Sequence, residues 1–338
     1  MVYVLDYTTS CFKLICQRSV RPKQGSGERR DILMSEKSEL PVNTARPRDY
    51  IVILAAITIW SASFAGMKVA VEQAHPLIVL WMRLGISIPF LFAGSYIQNT
   101  FRLPSRQELL PLLIMSFQGI FLVLGLQNFA MKTASASTAN WIIICSPAFV
   151  ALLGWLFLKE KISLMGFAGL VISAIGVMVV LRLGTASEPK GSGSFGTVGD
   201  LLILFSSLNW SIFLVFSRKV LREDLHYSFV LFWEMFFSFI YATLALPLLG
   251  CDISVIWSFT HRTWTAVAFL GAGASAAAYF CWFHGLSVLP VSRIVAFQFL
   301  QPFAGAMIAF LLLGERFTLW LFAGGITIMY GVYLVNRK

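Results

Sequence analysis

From Tyr50 onward the chain is a succession of apolar runs, each about 20 residues long and separated by short polar connections. A bilayer hydrocarbon core is about 30 Å thick, and a helix crosses it with about 20 mainly apolar residues. Ten such runs can be read, at 50–70, 77–97, 109–130, 136–158, 163–182, 199–219, 227–248, 263–284, 292–313 and 317–336. They are continuous rather than alternating, so each is expected to be a helix that satisfies its own backbone in lipid, not a barrel strand. Charge supports this. Only 12% of residues are charged, about half the share in soluble globular chains, too few to cover a water-exposed surface. The expected fold class is an all-α integral membrane protein with ten transmembrane helices.

Residues 1–49 differ in character, being polar and basic with Pro22, Pro41 and Pro47 and no apolar core of a secretory signal. They read as a disordered cytoplasmic tail. Met34 opens MSEKSELPVNTARPRDY just ahead of the first run and is the expected natural start, which would leave 1–33 untranslated. A second polar stretch, GTASEPKGSGSFGTVG at 184–199, separates the fifth and sixth runs. Its Gly and Ser content makes it a flexible joint, dividing the membrane region into 50–182, a linker at 183–198, and 199–336.

The two parts are alike. FLKEKISLMGFAGLVISAIGVMVVLR from Phe157 aligns with LLGERFTLWLFAGGITIMYGVYLVNR from Leu312 at an offset of 155 residues. Glu160 falls on Glu315, Lys161 on Arg316, Gly169 on Gly324 and Gly176 on Gly331; upstream, Pro147 falls on Pro302 and Ser137 on Ser292. Shared composition would give Phe, Ala and Gly, but not the matched prolines, the acidic-basic pair and the glycine spacing. Five spans per part is an odd number, so the second part must enter the membrane from the opposite side. The expectation is an inverted repeat, with any site near the midplane between the parts. Lys and Arg give an independent orientation: with the N-terminus inside, twelve lie in cytoplasmic segments (Arg46, Arg48, Arg102, Arg106, Lys159, Lys161, Arg218, Lys219, Arg222, Arg293, Arg337, Lys338) and six outside (Lys68, Lys132, Arg182, Lys190, Arg262, Arg316). Both termini are therefore expected in the cytoplasm.

Each part resembles the EamA domain of the drug/metabolite transporter superfamily. A first span carries Trp and a basic residue (Trp60 and Lys68; Trp210 and Arg218). A fourth span holds a proline and ends in an apolar run and Glu (Pro147 to Glu160; Pro302 to Glu315), before a Gly-rich fifth. The resemblance covers roughly residues 50–336 and implies ten spans, a central cavity between two halves, and export of amino acids or similar small metabolites. It also favours a bacterial inner membrane. Uptake or exchange of other small organic solutes and a non-transporting membrane subunit are the alternatives.

Arg83 stands about six residues into the second run, where an unpaired charge is costly and faces a cavity or a partner. It could meet a carboxylate in the pathway, or pin the first loop through Glu72. Lys68 suits interfacial anchoring. Glu234, at similar depth in the seventh run but from the opposite face, is a candidate for proton coupling, and a direct Arg83–Glu234 ion pair is not expected. Further pathway candidates interrupt apolar runs: Trp60, Ser63, Gln118, Asn140, Trp141, Asn209, Trp210, Tyr279, Trp282 and Gln298. Gln127, Asn128, His284 and Gln301 do the same. Such side chains are costly against lipid and should face the bundle interior. Pro147 and Pro302 are helix-break candidates. Glu160 and Glu315 are expected to favour the N-terminus of the following helix, and the glycines of the fifth and tenth runs to allow close packing.

Chemistry of other kinds has no sequence support. There is no phosphate-binding Gly-rich loop, no metal-ligand cluster, and no nucleophile beside a base, so no catalytic residue, metal or cofactor is expected. The five cysteines lack ligand or disulfide spacing. The net charge of +10 serves orientation rather than nucleic acid. The expected partners are the lipid bilayer and a small-molecule substrate; the sequence names neither that substrate nor an oligomeric state.

Overall fold

A computed structural model of the chain describes residues 47–158, 163–183, 196–221, 225–288, 297–315 and 318–336. The tail with its Met34 start, Cys11 and Cys16, Glu160 and Lys161, most of the linker, Ser292 and Arg293, Arg316, and the side chain of Arg218 lie outside the described residues.

Among the described residues the secondary structure is helical throughout. Helix α1 is Pro47–Gln73, α2 Pro76–Ile97, α3 Arg106–Ala130, α4 residues 136–158, α5 Leu164–Leu183, α6 Val198–Leu221, α7 Tyr227–Leu248, α8 residues 261–288, α9 Gln301–Leu313 and α10 Leu319–Asn336. Seven stretches are long and apolar enough to cross a membrane: α1, α2, α3, Ala136–Leu153 of α4, α5, α7 and His261–Gly285 of α8. Val198–Leu214, Gln301–Leu313 and Leu319–Val335 are shorter apolar helices. Large apolar side chains such as Phe90, Leu164, Phe167, Phe310, Leu319 and Trp320 lie exposed on the perimeter. An exposed apolar surface of that extent needs a cover, and in an integral membrane protein lipid supplies it.

Polar caps set the starts of the helices. Ser135 accepts from the Thr138 amide at α4, and Thr260 from Thr263 at α8. At α6, Thr197 and Asp200 satisfy each other's amides at 2.7 and 3.1 Å. His75 and His226, 151 residues apart, do this for α2 and α7, each ring Nδ1 accepting from the amide two residues on at 3.3 Å. Each cap pairs one of the amides that a helix start leaves without an intrahelical acceptor. The far ends of α2 and α7 also match. Asn99 (φ 54°) and Gly250 (φ 60°) turn the chain through the left-handed region, which Gly and Asn enter at least cost.

Helices α2 and α7 pack antiparallel with their centres level. Trp81 donates to Thr243, Gly85 lies on Phe239, Phe92 touches Phe232 and Gln98 donates to the Tyr227 hydroxyl. Helices α5 and α10 make a very close crossing. Gly169 and Gly176 face the carbonyls of Gly331 and Gly324, and those glycines face the carbonyls of Gly169 and Gly176 in return. Backbones can approach so closely only where no Cβ intervenes, the packing role expected of these glycines.

Two helices depart from α geometry. A π-helical turn occupies Ser116–Leu122 in α3, and another Phe269–Ala277 in α8. Each brings glycine against a neighbour's side chain: Gly119 faces Phe213, and Gly271 faces Ile86. Helix α4 is interrupted by the 3-10 turn Ile143–Cys145 directly before Pro147, and α9 begins at a turn directly before Pro302. Pro147 has no amide to offer the Ile143 carbonyl four residues back. That carbonyl accepts instead from the hydroxyls of Ser146 (2.7 Å) and Ser207 (3.3 Å).

One expectation is corrected. Glu315 does not serve the helix that follows it. Its carboxylate accepts from the amides of Ala136 (2.8 Å) and Ser137 (3.0 Å) and from the Ser137 hydroxyl, so it caps α4, 179 residues earlier. The physical reason is the same as expected, a negative charge at a helix N-terminus. The partner is set by tertiary packing, which leaves the start of α10 to the Thr318 hydroxyl.

Candidate functional site

Around the broken centre of α4 the helices do not close completely. A small cavity of about 50 Å³ is lined from α1 (Trp60, Ser63, Phe64), α2 (Arg83), α3 (Val123, Leu124, Gln127), α4 (Ile143, Ile144, Ser146), α6 (Trp210), α8 (Tyr279) and the approach to α9 (Gln298, Gln301). Helices from both sides of the 184–199 joint therefore contribute walls.

Serine hydroxyls tie the rim helices together. Ser61 of α1 donates to the Gln301 carbonyl (3.1 Å) and Ser211 of α6 to the Ser146 carbonyl (2.9 Å), each binding a helix beside a proline break. Asn140 donates to the Ser61 carbonyl from the other direction. These bonds join α1 and α6 to the helices that carry the prolines.

One wall is aromatic. The Trp60 ring meets Tyr279 edge-on at 5.1 Å between centroids and Trp210 at 5.9 Å, with Trp282 packed behind at 5.2 Å. The Trp60 indole donates to the Ala274 carbonyl inside the π-turn of α8 (3.1 Å), which fixes the ring. Other lining residues are polar without charge. Gln127 donates to Ser206. The side-chain amides of Gln298 and Gln301, residues only 8% and 6% exposed, make no hydrogen bond among the described residues. Both residues belong to the cavity lining.

Arg83 is the charged residue among those lining the cavity, and it is 1% exposed. Its Nε donates to Ser275 Oγ at 2.8 Å and its Nη1 lies 3.4 Å from Met67 Sδ. Ser275 belongs to the π-turn of α8, so the turn that holds Trp60 also orients the guanidinium. Nη2 has no partner among the described residues, and Met67 is only a weak acceptor. The arrangement is a fixed cation with N–H groups to spare, and a carboxylate or phosphate is the chemical match. Glu72, the alternative partner, lies in the last turn of α1 and is not among its contacts.

Of the residues marked from sequence, Trp60, Ser63, Arg83, Trp210, Tyr279 and Gln298 line the cavity. Gln118 instead donates to the Asn209 carbonyl (2.7 Å), tying α3 to α6. Asn140 lies buried between α1 and α4. Trp141 packs on Phe303, Phe322 and Gly325, and Trp282 stands one layer behind the wall. Lys68 donates to the Ala134 carbonyl (2.8 Å), a helix-end anchor. His284 lies 3.3 Å from Asp49 at the end where α1 begins. Glu234 is fully buried in α7 outside the cavity wall, and among the described residues it forms no ion pair with Arg83. Phe64 and Ser146 were not marked. Ser146 could have been found as the hydroxyl beside Pro147; Phe64, apolar in an apolar run, leaves no such trace. Gln127 and Gln301, legible as polar interruptions, also reach the wall.

The model of the EamA-like transporter family matches the chain twice, at residues 48–182 and 197–337. An uncharacterized transporter of Archaeoglobus fulgidus is 26% identical over 297 residues, covering 86% of this chain and 98% of its own length. A protein of Escherichia coli named "Probable amino-acid metabolite efflux pump" is 22% identical over 293 residues, covering 85% and 94%. A solved crystal structure superposes with a TM-score of 0.63 at 18% identity, covering 86% of this chain and 97% of its own, a likeness of fold. With both matched segments together spanning most of its length, the chain belongs to the EamA-like transporter family of membrane transporters.

Proposed function

We propose that this transporter moves small carboxylate-bearing metabolites, amino acids foremost, through the Arg83 cavity by alternating access. The observation that carries the reading is the guanidinium held by Ser275, its Nη2 without a partner among the described residues, in a cavity lined by aromatic rings and by Gln127, Gln298 and Gln301. A carboxylate would take the guanidinium, an ammonium or hydroxyl the amides of Gln298 and Gln301, and an apolar side chain the Trp60–Trp210–Tyr279 wall. The Escherichia coli relative's name points to the same substrate class.

The mechanism rests on an architecture of ten spans in two inverted five-helix repeats, 50–182 and 199–336, joined at 183–198. Several paired features support it: the double family match, the His75 and His226 caps, the Ser61 and Ser211 ties, the two π-turns and the reciprocal glycine crossing. Two repeats of opposite orientation can exchange conformations, opening the cavity to one side and then the other. The Lys and Arg distribution supports cytoplasmic termini, and a bacterial inner membrane with outward transport is the setting we favour.

The test is flux in proteoliposomes. Purified chain should exchange at least one radiolabelled amino acid from a panel that also includes simple carboxylates and amines. Arg83→Ala should lower that exchange at least tenfold, about the loss of 1.4 kcal/mol of binding, and Arg83→Lys should recover part of it. Full flux in Arg83→Ala would remove the residue from the site, and a preference for amines over carboxylates would overturn the substrate class.

A further inference from the structure

The cavity accounts for Arg83 but not for Glu234, an acidic residue buried within α7. Glu234 is 0% exposed, and neither carboxyl oxygen has a hydrogen-bond partner. An ionised carboxylate without a donor in an apolar interior is among the costliest arrangements a protein can hold, and a protonated carboxyl is far cheaper. A permanently neutral structural role would be met as well by an apolar residue, as it is elsewhere along α7.

The position has a counterpart. Measured from the matched caps His75 and His226, Glu234 stands where Arg83 stands in α2. The two sites are furnished differently. Arg83 has Ser275 and an open cavity, and Glu234 has neither. The ionisable groups on the elements packed against α7 are Arg83 and Tyr96 on α2, Arg106 and Glu108 at the start of α3, and His261, Arg262, Tyr279, Cys281 and His284 on α8, with Tyr227 and Tyr241 on α7 itself. Of these, Tyr279 is within electrostatic range of Glu234, and the same hydroxyl is within range of Arg83. Tyr279 also lines the cavity. The carboxyl is thus buried here, and the Tyr279 hydroxyl with which it interacts electrostatically belongs to a residue of the cavity lining.

We propose that Glu234 is the proton-carrying site of this transporter, protonated while sealed as in this structure and exchanging its proton with water when the repeats change places and hydrate it. This rests on the alternating-access reading above. In the step itself the carboxyl O–H bond breaks and the proton passes to a water of the open vestibule, which leaves as hydronium, while other vestibule waters donate hydrogen bonds to the carboxylate. The reverse occurs before the site can close again. Ionised Glu234 is too costly to bury, so closure is conditional on the proton, and substrate movement becomes dependent on the pH of the side to which that vestibule opens, which an imposed gradient sets.

Two measurements test it on the full chain. Infrared difference spectroscopy of the protein in lipid at neutral pH should show a protonated-carboxyl stretching band that is absent in Glu234→Gln and shifted in Glu234→Asp. In proteoliposomes given a radiolabelled mixture of the standard L-amino acids, wild type should respond to an imposed pH gradient. Glu234→Gln, isosteric with the protonated acid, should keep exchange at zero gradient within about twofold and lose the gradient response. A band unchanged in Glu234→Gln, or a gradient response of wild-type size in that variant, would overturn the proposal. Exchange abolished in a Glu234→Gln protein that still melts like wild type would also overturn it, by making Glu234 part of substrate handling. Absence of any exchange in wild type would instead sink the transport reading and the coupling with it, while the infrared band would still decide whether Glu234 is protonated.

Discussion

Replacing Gly169 by Ala places one methyl group where α5 crosses α10. The added Cβ would sit 2.5 Å from the Gly331 carbonyl oxygen, 2.8 Å from the Val335 nitrogen and 2.9 Å from Leu334 Cβ, where ordinary contact begins at 3.4 Å. Two of those atoms are backbone, so no rotamer change relieves the clash. The helices must part by roughly 0.5–1 Å, a gap that forfeits a quarter to a half of each contact's attraction along the crossing. Overpacking of this kind costs about 1–3 kcal/mol, and Gly331→Ala should cost the same. The two glycines face each other, so one separation accommodates both methyl groups. The double variant should therefore lose less than the sum of the singles by at least about 0.5 kcal/mol. Gly125 in α3 is the internal control. A Cβ there meets only Leu80 Cδ2 at 3.6 Å, so Gly125→Ala should be neutral or stabilise by up to about 1 kcal/mol through reduced backbone entropy. Thermal unfolding in detergent, followed by Trp fluorescence, separates the cases. Equal melting temperatures for Gly169→Ala and Gly125→Ala would refute the close-crossing argument.

Two other perturbations probe the helix starts. Glu315→Ala removes the acceptor for three donors at the start of α4 and should cost about 1–3 kcal/mol, with Glu315→Gln intermediate; an unchanged melting temperature for both would argue against the cap. The His75 and His226 rings cap through an unprotonated Nδ1, and burial holds both below the ordinary histidine range, with Lys132 adding to the effect at His75. A lowered folded pKa means the unfolded chain binds more protons in this window. The contribution is therefore complete above pH 6.5 and declines as pH falls through the lower folded values. Melting curves between neutral and mildly acidic pH should show a smaller acid-dependent loss in a His75→Asn/His226→Asn double variant, because Asn caps without titrating; parallel curves would exclude the histidines as the source.

The spans were legible because lipid imposes one requirement on each: about 20 apolar residues with the backbone satisfied internally. That located most helices to within a few residues, as at Tyr227–Leu248, whose bounds coincide with the sequence reading, whereas α9 begins at Gln301 although its apolar run starts at 292. The prolines were legible for an equally local reason. The site was only half legible. A polar side chain in an apolar run must turn inward, but Arg83 and Asn140 obey that rule alike, and only packing decides which faces a cavity and which ties two helices. The π-turns at Ser116–Leu122 and Phe269–Ala277 had no local marker. Their segments have the composition of ordinary apolar helix, and the extra residue per turn shows itself in where Ser275 and the Ala274 carbonyl end up. The target of Glu315 was hidden by distance along the chain, because residue type sets the sign of a charge and only the fold chooses its neighbour.

Under the inverted-repeat architecture proposed here, the paired devices divide into two kinds. Some are chemically alike in both halves: His75 and His226, Ser61 and Ser211, Pro147 and Pro302, the four crossing glycines. Each satisfies a backbone group or permits a close approach, needs that remain the same whichever half is considered. The pair Arg83 and Glu234 is unlike, opposite in charge at corresponding positions of α2 and α7. A framework of like parts can exchange its halves at little difference in energy, since whatever packing is broken on one side is remade on the other. Unlike groups at one corresponding pair make the two conformations inequivalent, one presenting a guanidinium to the cavity and the other bringing a carboxyl toward water. Direction and coupling in such a carrier must therefore reside where the symmetry fails, and in this chain the failure falls on two ionisable side chains buried deep in the bundle.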